Sequence, residues 1–144
     1  DQIQLQAEKW LGKVGLMEKL NVMSSTLSGG QKRRLSVALA MIGDPSVVML
    51  DEPTTGLSFE DCAHLLRVLH RLVDAGNTVV LIEHHMDLIK NADWIIDLGP
   101  GAGDGGGSVI AEGTPQQITE STDSHTGRYL KAHLLHRAVA PVAD

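Results

Sequence analysis

The stretch LSGGQKRRLSVALAMIGDPSVVMLDEPTTGL, residues Leu27–Leu57, contains the signals that decide the fold class. Ser28 has the side chain of a helix N-cap, and apolar residues recur at helical spacing after it. The sequence therefore predicts a helix from about Gly30 to Ile42, ended by the Gly and Pro of GDPS. The residues predicted to face the core are Leu35, Ala38, Leu39, Met41 and Ile42. The continuous apolar run Val47–Leu50 predicts a strand buried on both faces of a parallel sheet.

The segment after Leu57 adds a second helix and a second strand. Apolar residues at helical spacing predict a helix from about Glu60 to Ala75, which the Gly of AGN ends. The run TVVLIE, Thr78–Glu83, predicts another buried strand. Strand, helix and strand in this order require a right-handed crossover between parallel strands. The fold class expected is therefore α/β, with a parallel sheet and flanking helices.

The remaining segments are shorter elements. Residues 1–23 show helical spacing that Gly12 and Gly15 interrupt, which indicates a break between two short helices. After the second strand, we expect a helix near residues 86–91 and strands over Trp94–Leu98 and Ser108–Gly113. Thr114 and Pro115 have the residue types of an N-cap and a first helical position, and the polar segment after Ser121 ends in a weakly helical tail.

Composition limits the functional classes. The chain has 144 residues, a size that can bury a core, and its net charge of −6 argues against a broad nucleic-acid footprint. A single cysteine, Cys62, excludes an internal disulfide framework and a cysteine-based zinc cluster. No apolar run reaches the roughly 18 residues needed to span a bilayer, and no signal peptide opens the sequence. We therefore expect a cytoplasmic location.

The residues Ser28, Gly29, Gly30 and Gln31 form a candidate phosphate-binding site. The start of a helix presents unpaired N–H groups and the positive end of the helix dipole, which attract anions. Glycines let a phosphate approach the backbone closely. The alternative is an ordinary Ser N-cap followed by flexible residues, and the residue types alone do not decide between the two.

The acidic pair Asp51-Glu52 forms a candidate magnesium and water site. Both residues follow an apolar strand directly, so they are expected at the carboxyl edge of the sheet, where ligands of α/β proteins bind. One carboxylate there can hold Mg²⁺ and the other can polarise an attacking water. The alternative is an acidic loop that caps the next turn with the help of Pro53.

A histidine follows the second predicted strand. His84 is expected to leave the sheet at the same edge as Glu52, where a neutral imidazole could contact a phosphate or position a water. Its neighbour His85 is expected to face elsewhere. A lone histidine more often has a structural role, so this candidate depends on the predicted topology.

Three other motifs are rejected. Residues Gly101–Gly106 match a dinucleotide-binding glycine pattern but lead into a strand and not into a helix. His133 and His136 have a spacing suited to a metal, yet no further cysteine or carboxylate cluster accompanies them. The sequence Glu83-His84-His85 lacks the two histidines four residues apart that zinc proteases use.

Taken together, LSGGQ, VVMLDE and His84 resemble the signature sequence, the Walker B strand and the switch histidine of the ATP-binding-cassette (ABC) ATPases. The resemblance covers roughly residues 24–90 and implies a P-loop-NTPase-like fold that uses ATP and Mg²⁺. It implies that Asp51 holds the metal, and that Glu52 and His84 are catalytic. It further implies that Ser28, Gly29, Gly30 and Gln31 contact the γ-phosphate of ATP held by a second cassette. We expect a signature-helix subdomain over residues 1–45, an α/β core over residues 46–120 and a helical tail over residues 121–144.

The two halves of the chain resemble different branches of that family. Residues 1–57 are similar to the nucleotide-binding domain of ABC transporters of the lipid-exporter type. Residues 58–130, including SHTGRYL, are similar to the carboxyl-terminal end of the excinuclease A subunits, which sense DNA damage. The resemblance thus implies a role in nucleotide-excision repair, with a transport role as an alternative, and any DNA contacts would lie on modules that are absent here. Two explanations of this mixed resemblance stay open: the chain is a natural divergent relative, or it is an engineered or recombined chimera joined near DEPTTGL.

The lysine loop that cradles phosphates in this family has no counterpart in the sequence. A Walker A loop requires G-x-x-x-x-G-K-[ST], and the only Gly-Lys pair, Gly12-Lys13, is followed by Val14. We therefore expect the isolated chain to bind ATP weakly and to hydrolyse it little, if at all. The non-enzymatic alternative is a stand-alone folding unit, natural or an engineered or recombined chimera, whose motifs are inherited but idle. A sheet edge or apolar surface left exposed would favour a homo-oligomer.

Overall fold

The computed structural model describes residues 2–99 and 107–138, with the side chains of residues 136–138 left out. The chain divides into two compact units, residues 1–83 and residues 84–144. The predicted division into three segments stays a prediction. No helix in the described ranges is long and apolar enough to cross a membrane.

The first unit contains three helices and two strands. Helix α1 spans Gln2–Lys13, α2 spans Gly29–Ala40 and α3 spans Phe59–Asp74. Strands β1, Val47–Asp51, and β2, Thr78–Ile82, pair in parallel with Val47 opposite Thr78 and Asp51 opposite Ile82. This confirms the predicted α/β fold with a parallel sheet and flanking helices.

The predicted break in the first helical segment lies at Gly15, which has φ +69, and Gly12 lies inside α1. Two short 3-10 helices, Met17–Lys19 and Ser24–Thr26, lead into α2.

The core of the first unit lies between the three helices and one face of the sheet. Its buried members are Trp10, Val14, Leu16, Val37, Ala38, Met41, Val48, Leu65, Val68, Leu69 and Leu72. The spacing of Leu65, Val68, Leu69 and Leu72 is that of one helical face, so the amphipathic pattern of α3 dictates how it packs.

The prediction that β1 is buried on both faces is wrong for the described residues. Val48 is 3% exposed, whereas Met49 is 70% exposed and Ile82 of β2 is 58% exposed. Neighbouring strand residues point to opposite faces, so one face of the two-stranded sheet meets the helices and the other meets solvent. The predicted inward set of α2 was also partly wrong, because Leu39 and Ile42 are exposed and Val37 is buried in their place.

The second unit contains three helices and two strands. Helix α4 spans Met86–Ile89, α5 spans Pro115–Glu120 and α6 spans His125–Ala138. Strands β3, Ile95–Leu98, and β4, Val109–Gly113, form an antiparallel pair. The predicted N-cap at Thr114 is confirmed: its hydroxyl accepts a hydrogen bond from the Gln117 amide, and the Gln117 side chain accepts one from the Thr114 amide. Such a reciprocal capping box satisfies two of the otherwise unpaired donors at a helix start.

A buried hydrogen-bond network ties α6 to the hairpin of the second unit. The hydroxyl of Ser124, which is fully buried, donates to Asp97 Oδ2 at 2.6 Å, and the hydroxyl of Thr126 donates to Asp97 Oδ1 at 2.8 Å. Ser124 Oγ in turn accepts a hydrogen bond from the Gly127 amide at 2.7 Å. The SHTG segment therefore fixes the start of α6 on β3.

Candidate functional site

The start of α2 is closed by a reciprocal capping box. The Ser28 hydroxyl accepts a hydrogen bond from the Gln31 amide at 3.2 Å, and Gln31 Oε1 accepts one from the Ser28 amide at 3.0 Å. The N-cap interpretation of Ser28 is thereby confirmed. The capping box leaves the N–H groups of Gly29 and Gly30 without an intrahelical acceptor, because a helix bonds only from its fifth amide onward. The phosphate role of these residues stays a prediction.

The two glycines of this segment have different surroundings. Gly29 is exposed, and a Cβ built on it would lie 3.9 Å from Leu57 Cδ2. Gly30 is buried, and a Cβ there would lie 2.0 Å from Asp61 Oδ1. A side chain at position 30 would clash with the side chain of Asp61, which would have to move, so glycine lets the starts of α2 and α3 pack as they do. Asp61 is held in place by the Ser58 hydroxyl, which donates to Asp61 Oδ2 at 2.9 Å.

The acidic pair lies where the strand pattern predicts it. Asp51 is the last residue of β1, Glu52 follows it, and both are exposed. The Glu52 amide donates to the Ile82 carbonyl at 2.9 Å, so the parallel ladder extends one residue past the strand. Two exposed carboxylates at the carboxyl end of a parallel strand suit Mg²⁺, which keeps several waters and needs only one or two protein ligands.

The backbone of Glu52 is held in an unusual conformation. Its φ is +41, a left-handed value that costs a non-glycine residue roughly 1–2 kcal/mol. The Glu52 carbonyl accepts hydrogen bonds from the Thr55 amide at 3.2 Å and from Arg33 Nη2 at 3.3 Å. The Thr55 hydroxyl also donates to Glu52 Oε2 at 3.3 Å. Arg33 thus connects α2 to the turn that carries the acidic pair.

A third carboxylate at this sheet edge, that of Glu83, was missed as a site residue by the sequence analysis. Glu83 Oε1 accepts hydrogen bonds from the Thr54 amide at 2.9 Å and from the Thr54 hydroxyl at 2.6 Å. The register places Glu83 beside Glu52, because Asp51 pairs with Ile82. The argument that placed Glu52 at the carboxyl edge of the sheet applies equally to Glu83, which ends the second apolar run. Asp61 and Arg33, by contrast, have no sequence signal that points to their roles.

His84 is the first residue of the second unit and is exposed. Its predicted position near Glu52 stays a prediction. His85 is half-buried, and its carbonyl accepts hydrogen bonds from the Leu88 and Ile89 amides, so its backbone begins α4. The expectation that His85 faces elsewhere than His84 stays a prediction.

The rejected motifs have these outcomes. The glycine pattern Gly101–Gly106 and the side chain of His136 lie outside the described residues. His133 Nε2 lies 3.1 Å from Asp87 Oδ1, so an acidic residue does accompany it, although within the described ranges no group of three or more potential metal ligands exists. Asp87 also accepts a hydrogen bond from Lys90. The Lys90 hydrogen bond, aided by His133, lowers the pKa of Asp87 from 3.8 to about 2 against the opposing effect of burial.

Comparison with protein families and curated proteins identifies relatives that together match most of the chain. Residues 2–55 match the family model described as ABC transporter. The UvrABC system protein A of Paracoccus denitrificans is 66% identical over 85 residues, which cover 59% of this chain and 77% of that protein. The protein of the same name from Rhizobium meliloti (strain 1021) is 49% identical over 136 residues, 92% of this chain. The proteins from R. meliloti and from Pasteurella multocida (strain Pm70) are much longer, and this chain spans 14% and 13% of them.

Solved structures show the same fold. UvrA2 from Deinococcus radiodurans is 42% identical with a TM-score of 0.71, and the match covers 89% of this chain and 16% of that one. A nucleotide-free ATP-binding cassette from an ABC transporter gives a TM-score of 0.75 at 21% identity, covering 91% of this chain and 50% of that cassette. The chain therefore has the fold of part of an ABC ATPase cassette. One relative spans both halves of the chain, so the alternative of a chimera has no support.

Proposed function

Because this chain belongs to the family of the UvrABC system protein A, we propose that it forms part of an ATPase cassette acting in nucleotide-excision repair of DNA. The observation that carries the proposal is the pair Asp51 and Glu52 at the carboxyl end of β1, in the same unit as the capped LSGGQ helix. These are the residue types and the place that Mg²⁺-dependent phosphoryl chemistry requires. The cassette works in the cytoplasm.

We assign a different role in ATP hydrolysis to each of the candidate residues. Asp51 would hold Mg²⁺, and Glu52 would polarise the water that attacks the γ-phosphate. The left-handed backbone of Glu52 and its hydrogen bond from Arg33 support this role, since both fix where the carboxylate leaves the sheet. His84, the residue after Glu83, is proposed as a further catalytic residue. Ser28, Gly29, Gly30 and Gln31 serve the ATP bound by a second cassette, whose γ-phosphate meets the start of α2.

Binding of ATP requires a phosphate-cradling loop from another segment. The 144 residues contain no Walker A sequence, and positioning of the phosphates supplies most of the rate acceleration in this chemistry. We therefore expect the isolated chain to bind MgATP weakly and to hydrolyse it at a background rate. Titration of the purified chain with labelled ATP and Mg²⁺, followed by a phosphate-release assay, measures both quantities. Tight binding with turnover by the chain alone would contradict the proposal.

A graft provides the positive test. In this graft, the chain replaces the matching segment of the R. meliloti relative. The two sequences align over 92% of this chain. We expect the grafted protein to hydrolyse ATP, Glu52→Gln to slow hydrolysis by about tenfold or more, and Glu112→Gln to leave the rate unchanged. Glu112 is a matched control because it is an exposed carboxylate on β4, outside the proposed site. Equal rates for the two variants would remove Glu52 from the mechanism.

The repair role is tested separately from ATP hydrolysis. An R. meliloti strain that lacks its own protein is complemented with the graft, and survival after ultraviolet irradiation is measured. Restored survival that depends on Glu52 supports a role in repair. A graft that hydrolyses ATP without restoring survival would favour the alternative, a component of a transporter. That alternative has weaker support, because the transporter cassette is only 21% identical and shows the fold alone.

A further inference from the structure

A small cleft with a basic wall lies in the first unit, at the end of α1. Val14 and Gly15 form one side, Arg34 of α2 forms another, and residues of α3 complete the wall. Its volume is about 240 Å³. None of the residues proposed above to serve the nucleotide lines this cleft.

The wall of the cleft concentrates positive charge in an acidic protein. Arg34, Arg67 and Arg71 line it together with His64, and none of the described lining residues is acidic. His64, Arg67 and Arg71 follow one another at spacings of three and four on α3, so they share one face of that helix. The chain as a whole carries a net charge of −6, so this cluster opposes the average field and attracts anions locally.

Structural hydrogen bonds use only part of what these arginines can donate. Arg34 Nη1 donates to the carbonyls of Val14 and Gly15 at 3.2 and 3.3 Å, and Arg71 Nη1 donates to the Lys13 carbonyl at 3.4 Å. Each guanidinium carries five N–H donors, so most donors remain. Carbonyl acceptors carry no net charge and leave the three positive charges unneutralised.

Two of the arginines have donors that no described group satisfies. Arg34 Nε is buried and has no hydrogen-bond partner within the described part of the chain. Arg67 forms no hydrogen bond or ion pair with any residue that the structure describes, although it lies on the cleft wall. A buried donor without an acceptor is costly, which favours an acceptor supplied by a ligand.

We propose that this cleft binds a phosphate group. Arginine forks match the oxygens of a phosphate, and three of them converge on one small volume. The volume is below the range of about 300–1,000 Å³ typical of sites for larger organic ligands. No Trp, Tyr or Phe, whose large rings most often stack on bases, occurs among the described lining residues, and the small volume leaves little room for a base beside the arginines. The phosphate is therefore recognised alone, either free or as one phosphodiester of a nucleic-acid backbone.

Titration of the chain with inorganic phosphate at constant ionic strength, followed by ¹⁵N-resolved NMR, tests the proposal. We expect saturable binding with the largest shift changes at Gly15 and His64, and not at Ser28–Gln31. Arg67→Gln and Arg71→Gln each lower the affinity about tenfold, as expected for loss of one charge-assisted hydrogen bond. Both side chains are exposed, so the variants should keep the fold, which circular dichroism checks.

Arg128→Gln is the matched control, because Arg128 is an exposed arginine on α6, outside the cleft. Equal phosphate affinity for the cleft variants and the control, or no saturable binding, overturns the proposal.

Competition with a short DNA duplex then distinguishes the sources of the phosphate. Displacement of phosphate by the duplex, lost in the cleft variants, assigns the site to a nucleic-acid backbone, and binding of phosphate without displacement assigns it to a free phosphate. Neither result depends on ATP hydrolysis, so the proposed function can fail independently.

Discussion

The carboxylate of Glu83 accepts two hydrogen bonds from one residue, Thr54: one from its amide at 2.9 Å and one from its hydroxyl at 2.6 Å. Thr54 is only 7% exposed. These bonds join the end of β2 to the turn that follows β1. The turn also carries Glu52, so the Thr54–Glu83 pair stabilises the loop on which the proposed catalytic carboxylate depends.

Replacement of Thr54 by Val removes the hydroxyl donor and keeps the shape of the side chain. We expect Thr54→Val to lower the free energy of unfolding by about 1–3 kcal/mol, because a hydrogen bond to a partly buried carboxylate is lost. Urea denaturation measures the change. The matched control is Thr122→Val, an exposed site in the second unit, where we expect a change within about 0.5 kcal/mol. Equal effects at both sites would show that the Thr54 hydroxyl adds no stability.

The contact between Gly30 and Asp61 makes a second prediction. A Cβ at position 30 would lie 2.0 Å from Asp61 Oδ1 and 2.2 Å from Asp61 Cγ. Gly30→Ala should therefore displace the Asp61 side chain and lower the free energy of unfolding by about 1–3 kcal/mol. Gly29→Ala is the control, because its new Cβ would meet only Leu57 Cδ2 at an ordinary 3.9 Å.

A double variant identifies the cause of that loss. Asp61→Ala removes the two atoms nearest to position 30, so the combination with Gly30→Ala should recover part of the stability that Gly30→Ala loses. Additive losses in a double-mutant cycle measured by urea denaturation would place the cause elsewhere. Such additivity would also weaken the conclusion that glycine is required at position 30 for packing.

Local features of the fold could be predicted from the sequence because they depend on near neighbours in the chain. The caps at Ser28 and Thr114 follow from residue type, and the two parallel strands follow from apolar runs on either side of an amphipathic helix. The antiparallel pairing of β3 with β4 was not predicted, because the sequences of two short strands do not specify which strand each pairs with. The exposure of Met49 was missed because the expectation of a strand buried on both faces assumed a further layer of structure.

The candidate site was predictable only where it follows the strand ends. Asp51 and Glu52 come directly after an apolar run, so topology alone places them. The carboxylate of Asp61 against Gly30 and the guanidinium of Arg33 on Glu52 depend on how α2 packs in three dimensions. No spacing in the sequence encodes those contacts. The same applies to the basic cleft, in which Arg34 and Arg67 come from different helices.

The second unit should lose stability when any side chain is added at Gly127. A Cβ on Gly127 would lie 2.1 Å from the Ile118 carbonyl oxygen, and a backbone atom cannot move aside as a flexible side chain can. We expect Gly127→Ala to unfold the start of α6 and to lower the stability of this unit by about 3 kcal/mol or more. Hydrogen exchange of the α6 amides measures this. Gly12→Ala is the control: nothing lies within 4 Å of its Cβ, so inside α1 it should stabilise by about 0.5–1 kcal/mol.

The buried hydroxyl of Ser124 has a similar role in that unit. It donates to Asp97 and accepts from the Gly127 amide, and Ser124 is fully buried. Ser124→Ala leaves both partners without their bond, so we expect a loss of about 2–3 kcal/mol. Thermal unfolding followed by circular dichroism checks this. Ser36→Ala on the exposed face of α2 is the matched control, and an equal loss there would contradict the assignment.

The depressed pKa of Asp87 predicts how stability depends on pH. The hydrogen bond from Lys90, aided by His133, lowers the folded-state pKa from 3.8 to about 2, so the folded unit favours the ionised carboxylate. A depressed pKa contributes stability above the unfolded value and loses it as pH falls through the folded value. We therefore expect about 1 kcal/mol, reduced by solvent screening, to be lost between about pH 5 and pH 2. Asp87→Asn should lack this loss, whereas the control Asp123→Asn, an exposed carboxylate, should keep it. Urea denaturation of the three proteins across this pH range measures the difference, and parallel curves for the chain and Asp87→Asn would show that Asp87 is not the group responsible.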